Sequence, residues 1–445
     1  MNKNRILTKI VNHIILLLGG TLAGVLLLWL AYCLPVEPMR EHVYQSLPLL
    51  EREFEAENLI AEYPGTFMGG FTDCLMLENA IYRSDAHSLW EQILCMYRGE
   101  SGTGDGWATG YSLSDYLAGI PQPAEVSYAR YWHGYLVVLK PLLWLTTFPS
   151  IRLVAAWAQP LLIGLVVLVC CRRKDRFPAL AFLVSVPFLY YFSLFTSLSL
   201  SICFYILTIA LSAQLSLEGE IRRRGWYGEF FVLVGMATAY FDFLTYPLVT
   251  LGFPLCVYLY YDRGSVAKRF RNMLLYSAEW GIGYMGLWMM KWILAEIFTG
   301  EKVIADGLKT LAARTGAVES AAGSGFAKVL WSNISPFANW GFGLLAAGIA
   351  VWLCVYIVRH RRNICRESFL GGGLLLLVAL YPFVWFFLTQ NHSSEHSIFT
   401  CKILALTVFA GVCAAGRICA EPMPSPSACD SRDPYDSSKE RRSGR

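Results

Sequence analysis

The stretch Gln390-Asn391-His392-Ser393-Ser394-Glu395-His396-Ser397-Ile398-Phe399-Thr400-Cys401-Lys402 holds two of the chain's seven histidines, a glutamate and a lysine between two long apolar runs. His392 and His396 are four apart and share a face if helical. Two histidines alone are a weak zinc signal, since such a site needs further ligands. Lys402 falls about one turn inside the last apolar run, where a cation needs an anion or a wet cavity. One reading makes the stretch the wall of an anion-binding cavity. The other makes it a simple outer turn, which accounts for Asn391, Ser393 and Ser394 but not for Lys402.

Asp73, in GGFTDCLMLENA, follows the flexible pair Gly69-Gly70 and has two readings. It is a general base for a hydroxyl at a cavity mouth, or the N-cap of the helix implied by Leu75, Met76, Leu77 and Ala80. Glu78 and Asp85 compete for the base role, and the neighbouring acids read as solvated surface. The run Tyr128-Ala129-Arg130-Tyr131-Trp132-His133-Gly134-Tyr135 is either an interfacial aromatic belt or a site where Arg130 and His133 hold a phosphate while rings stack on a sugar or lipid. Arg152 opens an apolar run, and its planar fork either matches a phosphate or snorkels to the interface. Asp242 in AYFDFLTYP, Lys291 and Glu296 pose the same question, whereas Glu279 suits a structural pair.

The elements that position these residues follow from composition. The 445 residues are 55% hydrophobic and 16% charged, against about 25% charged in a soluble domain. Runs of about 20 apolar residues recur, each long enough to cross a bilayer core. Hydropathy places ten spans, at 10–34, 153–171, 178–193, 197–215, 228–244, 246–261, 273–297, 339–358, 369–388 and 397–418. The clusters Arg172-Arg173-Lys174, Arg222-Arg223-Arg224, Arg263 with Arg269 and Arg271, and Arg359 with Arg361 and Arg362 then share one side with Lys3, Arg5 and Lys9. By the positive-inside rule both termini are cytoplasmic, in a multi-pass cell membrane protein of the bacterial cytoplasmic-membrane type. The first run is too long for a signal peptide and no cleavage site follows, so it reads as a retained span.

The opposite side receives a long segment, 35–152. From Pro35 to His133 it carries fifteen Asp and Glu against five Lys and Arg, which fits an extracytoplasmic loop. Within it, YLVVLKPLLWLTTF (135–148) is too short to span and reads as an interfacial helix. The patches AARTGA and ESAAGSG in the loop 298–338 look mobile, and the Pro- and Ser-rich segment 419–445 reads as a disordered cytoplasmic tail. Residues 1–418 form the transmembrane domain. Cys74 and Cys95 share one loop and are candidates to pair, but thirteen cysteines without tight spacing do not make a disulfide framework. The expected fold is thus an all-α polytopic membrane protein of about ten transmembrane helices, with a long extracytoplasmic loop after the first.

Walker, GxGxxG, HExxH and GxSxG motifs are absent, and nothing calls for nucleic acid. The order of the pieces resembles the GT-C superfamily of integral-membrane glycosyltransferases. In that pattern an early span precedes an outer loop with an acidic residue, here Asp73. A loop helix follows, here WHGYLVVLKPLL, and then a span opening on Ser150-Ile151-Arg152-Leu153. FLYYFSLFTSLSLSICFYILTIAL looks like the paired third and fourth spans. His396-Ser397-Ile398-Phe399-Thr400-Cys401-Lys402 resembles the late His-x-x-Phe-Thr-basic motif. Departures are His133-Gly134-Tyr135 in place of His-Pro-Pro, Lys402 in place of Arg, and no Asp-Asp or Asp-Glu pair after the first span.

The resemblance implies a sugar donor carried on a polyprenyl phosphate, a glycan or lipid acceptor, and an active site on the outer face amid membrane lipids. It gives Asp73 the role of base. Arg130, His133, Arg152, Asp242, Lys291, His392, His396 and Lys402 become substrate-binding residues. No metal ligand set is identified and no particular cofactor is assigned, and a divalent metal stays an open alternative. A transporter or flippase of a lipid-linked glycan is the competing function, disfavoured by the lack of an inverted repeat.

Overall fold

The structure, a computed structural model, describes residues 3–55, 58–60, 63–100, 109–173, 177–316 and 325–420. The expected tail beyond 420, Lys174 and most of the ESAAGSG patch lie outside the described residues. Twenty-two α-helices and one two-stranded ribbon make up the described chain. It is an all-α, multi-pass membrane protein: six of its helical stretches are long and apolar enough to cross a bilayer.

The first of these belongs to α1 (Lys3–Tyr32), which ends ahead of Pro35. Short helices then build the segment before the next long helix: α2 (Glu37–Tyr44), α3 (Leu47–Glu55), α4 (Gly70–Ile81), α5 (Leu89–Cys95) and α6 (Thr109–Leu117). Two of them start at a recognisable signal. Pro38 sits in the first turn of α2, and Ser88 with Glu91 forms a capping box on α5. Strands β1 (Arg98–Glu100) and β2 (Ala124–Val126) pair antiparallel beside them. The apolar α7 (Leu136–Leu145) is ten residues long, too short to span.

Next come α8 (Phe148–Cys171), α9 (Phe177–Ser185), α10 (Tyr191–Thr196), α11 (Leu198–Arg224), α12 (Tyr227–Phe241), α13 (Leu248–Tyr261) and α14 (Val266–Thr299). The expected helix 178–193 is broken. Pro187 lies in a 3₁₀ turn and Tyr190 takes a left-handed backbone, so α9 and α10 are separate pieces. The closest helix pair is α12 with α14. A Cβ on Gly235 would lie 2.1 Å from the Trp280 carbonyl oxygen, and one on Gly283 would lie 2.1 Å from that of Val232. Only glycine lets these two backbones meet.

The chain continues through α15 (Val303–Thr315), α16 (Phe326–Ile334), α17 (Trp340–His360), α18 (Arg366–Ala379), α19 (Tyr381–Leu388), α20 (Gln390–Glu395), α21 (Ser397–Thr400) and α22 (Leu404–Ile418). AARTGA is not a loose patch in its first half, because Ala312–Thr315 form the last turn of α15. The expected span 369–388 bends at Leu380, where Pro382 removes a backbone donor. α17 is almost wholly exposed, with Trp340 at 88%, as a helix facing lipid should be. Cys74 and Cys95 are buried free thiols and do not pair.

Candidate functional site

Asp73 lies in the first turn of α4, yet the helix end it caps belongs to α11. Its Oδ1 accepts hydrogen bonds from Ser197 Oγ (3.0 Å) and Ser199 N (3.1 Å), and its Oδ2 accepts one from Leu198 N (3.0 Å). A carboxylate at a helix N-terminus answers both the orphan N–H groups and the helix dipole. Neither reading of Asp73 from the sequence foresaw a cap on a helix more than a hundred residues away. The carboxyl is fully buried. Burial pushes it up to about 7, against the pull of nearby Arg152 and of the three hydrogen bonds.

Arg152, in the second turn of α8, is buried beside this cap. Its Nη1 donates to Glu53 Oε1 (2.7 Å) and Oε2 (2.9 Å), and its guanidinium stacks over Phe148, 5.1 Å from the ring centroid. It therefore neither snorkels nor stands free for a phosphate. Glu53, read as solvated surface from its loop composition, is its buried partner. Burial raises the Glu53 carboxyl above its ordinary range, with Arg152 opposing. Of the competing bases, Asp85 is exposed. Glu78 is buried, accepts from Ser112 Oγ (3.2 Å) and is pushed up to about 7, chiefly by burial.

An apolar groove of about 400 Å³ runs alongside, walled by α7, α8 and α11. Met76, Ile151 and Leu198 line it, and these residues adjoin Asp73, Arg152 and the capped N–H respectively. A roomier apolar groove of about 700 Å³, between α1, α5 and α14, contains none of the candidate residues.

The stretch 390–402 is not an open turn. Asn391 Nδ2 donates to Ala313 O (2.7 Å), and Asn333 Nδ2 donates to Ser393 O (2.8 Å). These bonds stitch the stretch to α15 and α16. His392 is buried; its Nε2 donates to Leu244 O (2.9 Å), which leaves Nδ1 to accept from Arg314 Nη1. Burial first, then Arg314, holds His392 well below its ordinary pKa. His396 stacks near it at 4.8 Å between centroids and is lowered to about 4 by the same two causes. Both imidazoles are neutral at physiological pH, so the cation of this group is Arg314. Lys402 is fully buried, donates to Ile398 O (2.6 Å) and sits 4.9 Å from the centroid of Tyr190.

Asp242 is closed on itself, accepting from the N–H groups of Leu244 (2.9 Å) and Thr245 (3.0 Å) and from the Thr245 hydroxyl. It shapes the turn that presents the Leu244 carbonyl to His392. Arg130 pairs with Asp306 (2.8 Å) across to α15. His133 is buried between Tyr135 Oη (3.1 Å) and the Tyr128 carbonyl (3.1 Å), and burial pushes it down to about 3. Both ring nitrogens of His133 are thus engaged within the protein. Lys291 is fully buried and donates to Ile93 O (3.0 Å) under the Trp132 ring. Glu296 accepts from Ile304 N (2.9 Å), and Glu279 pairs with Lys9 (3.2 Å).

The candidates thus divide into linked groups. Asp73 and Arg152 meet around the start of α11. Asp242, His392 and His396 join through Leu244 and Arg314, and Tyr131 lies close enough to Arg314, Arg130 and Asp242 to feel their charges. Lys402 rests on Tyr190, and Lys291 stands apart under Trp132. Among the described residues, three of the four non-glycine ones with left-handed backbones are His133 (φ 52°), Tyr190 (φ 54°) and Leu244 (φ 73°). Such strain in bulky residues gathers at functional places. Among the described residues no three His, Cys, Asp or Glu side chains gather as a metal-holding group, so the divalent metal left open finds no ligand set there. Comparison of the chain with family models, curated proteins and solved structures yields no match in any of the three.

Proposed function

We propose that the chain is a ten-span membrane glycosyltransferase. In this reading it moves a sugar from a polyprenyl-phosphate donor to an extracytoplasmic glycan or cell-envelope acceptor. One observation carries the reading: a buried carboxyl pushed up to about 7, Asp73, feels the charge of a permanent cation, Arg152, while Met76 and Ile151, near them in sequence, line an apolar groove. The groove suits an isoprenoid chain. Arg152 suits the phosphate of that lipid once Glu53 yields it, and Asp73 suits the proton of the acceptor hydroxyl.

In the transfer step the acceptor O–H proton passes to Asp73 as the acceptor oxygen bonds to the sugar's anomeric carbon. The bond from that carbon to the phosphate oxygen breaks, and polyprenyl phosphate leaves with the electron pair. Oδ2 carries a single hydrogen bond, from Leu198 N, and is the oxygen a substrate hydroxyl reaches at least cost to the cap. Reaction therefore requires the cap on α11 to loosen.

That requirement favours a second reading, in which Asp73 is only a latch joining the outer segment to α11 in a non-catalytic membrane protein. Proteoliposomes supplied with polyprenyl-phosphate hexoses and pentoses, and with cell-envelope glycan and lipid acceptors on the outer side, distinguish the cases. Release of polyprenyl phosphate supports transfer, and loss of that release in Asp73→Asn assigns the base. Donor that crosses the bilayer uncleaved supports a flippase. Donor that stays intact and on its own side leaves the latch.

A further inference from the structure

At the opposite, arginine-rich end of the bundle two cations lie inside the protein. Arg269 stands in the second turn of α14 and is fully buried; Arg417 stands in the last turn of α22 at 6% exposure. Nε, Nη1 and Nη2 of Arg269 are all buried without a hydrogen-bond partner among the described residues, and so is Nε of Arg417. Both side chains converge on Gly371 of α18. A Cβ built there would lie 2.8 Å from Arg269 Nη1 and 3.3 Å from Arg417 Nε, so the two guanidiniums are no further apart than the sum of those distances. The glycine is what gives them room.

A guanidinium keeps its proton inside proteins, so neither charge can be removed by titration. Two like charges buried together without an anion are strongly unfavourable. Asp262 and Glu367 are the carboxylates near enough for their charge to reach Arg269. Asp262 is already engaged by Arg222 (2.6 Å) and by Gly264 N (3.3 Å), and Glu367 is exposed on α18. Four donors unpaired among the described residues therefore point into one place that those residues do not neutralise.

We propose that Arg269 and Arg417 form a binding site for a phosphate group, carried on an anionic lipid headgroup or free in solution. A phosphate dianion has oxygens for two planar forks and charge to balance both, whereas a single carboxylate balances only one. The site is separate from the Asp73 groove and does not depend on the glycosyltransferase reading.

The test uses the full chain, purified in neutral detergent and chloride buffer. Thermal unfolding is followed with inorganic phosphate, with phosphatidic acid in mixed micelles, and with phosphatidylcholine as control. Wild type should melt several degrees higher with phosphatidic acid or with phosphate, and the more effective of the two names the source. The double variant Arg269→Met/Arg417→Met replaces both buried cations by apolar chains and should lose that rise while remaining at least as stable in chloride. Should the double variant fail to fold, Arg417→Gln should raise the half-effective ligand concentration at least tenfold. No rise in wild type with either phosphate probe, or the same rise in the variants, overturns the site.

Discussion

Replacing Asp73 with asparagine keeps the side chain's shape, removes its charge and turns one acceptor into a donor. Oδ1 can retain Ser197 and Ser199, but the new amide then meets Leu198 N–H donor to donor. Leaving that buried N–H unanswered costs about 1–3 kcal/mol. Against this, the variant no longer buries a charge. Folding raises the Asp73 pKa from 3.8 to about 7, an interval worth about 4 kcal/mol. A pKa raised by folding means the native state holds the proton more tightly. The associated stability is complete below 3.8 and is lost as pH rises through about 7. Wild type therefore loses about 4 kcal/mol between pH 4 and 8 on account of this group, and the variant does not. Asp73→Asn should be the less stable protein at pH 4 and the more stable at pH 8, with the melting curves crossing between. If the base role holds, transfer by wild type rises with pH through about 7, just where its stability falls, and the variant is inactive throughout. Parallel pH profiles of melting temperature for the two proteins would refute the reasoning.

Gly235→Ala should lower the melting temperature and the abundance of folded protein, by about 1–3 kcal/mol or more, because its methyl meets the Trp280 carbonyl and not a movable side chain. An unchanged melting temperature contradicts the closeness of α12 and α14. Arg314→Gln should raise the pKa of His396 above about 4, since Arg314 contributes to its lowering, and NMR titration of the imidazole reads this directly. A titration that does not move places Arg314 elsewhere. Lys402→Met should fold at least as well as wild type, since it removes a buried cation, and should lose donor-dependent transfer. Full transfer by this variant leaves the phosphate to Arg152 alone.

Membrane character and helical class were legible from residue types, because apolar runs of bilayer length leave few alternatives. Helix breaks were not read from the sequence: Pro187 and Pro382 stand inside runs read as continuous spans, and the left-handed turn at Tyr190 has no local signal in a tyrosine. The partners of the candidate residues were less accessible. Asp73 was singled out for its place after the first span, but its partners at 197–199 are a matter of tertiary packing, to which local patterning is blind. Glu53 was hidden among other acids of the same loop, and only the folded chain distinguishes it by pairing it with Arg152. Arg314 lay in a segment read as mobile because alanine, threonine and glycine dominate it. The same alanines extend α15, and the helix carries the arginine to His392.

The hydrogen bond between Asp73 and Ser199 also sets a clock. The two residues are 126 apart in sequence, and a ribosome adds about 5–20 residues each second. For roughly 6–25 s after Asp73 is made, the N–H groups it will cap do not yet exist. Glu53 waits across 99 residues for Arg152 in the same way. During that interval the acidic segment behind α1 has no internal partner for either carboxylate, so water must solvate both. Its closure waits until nearly half the chain is made and the first turn of α11 is delivered.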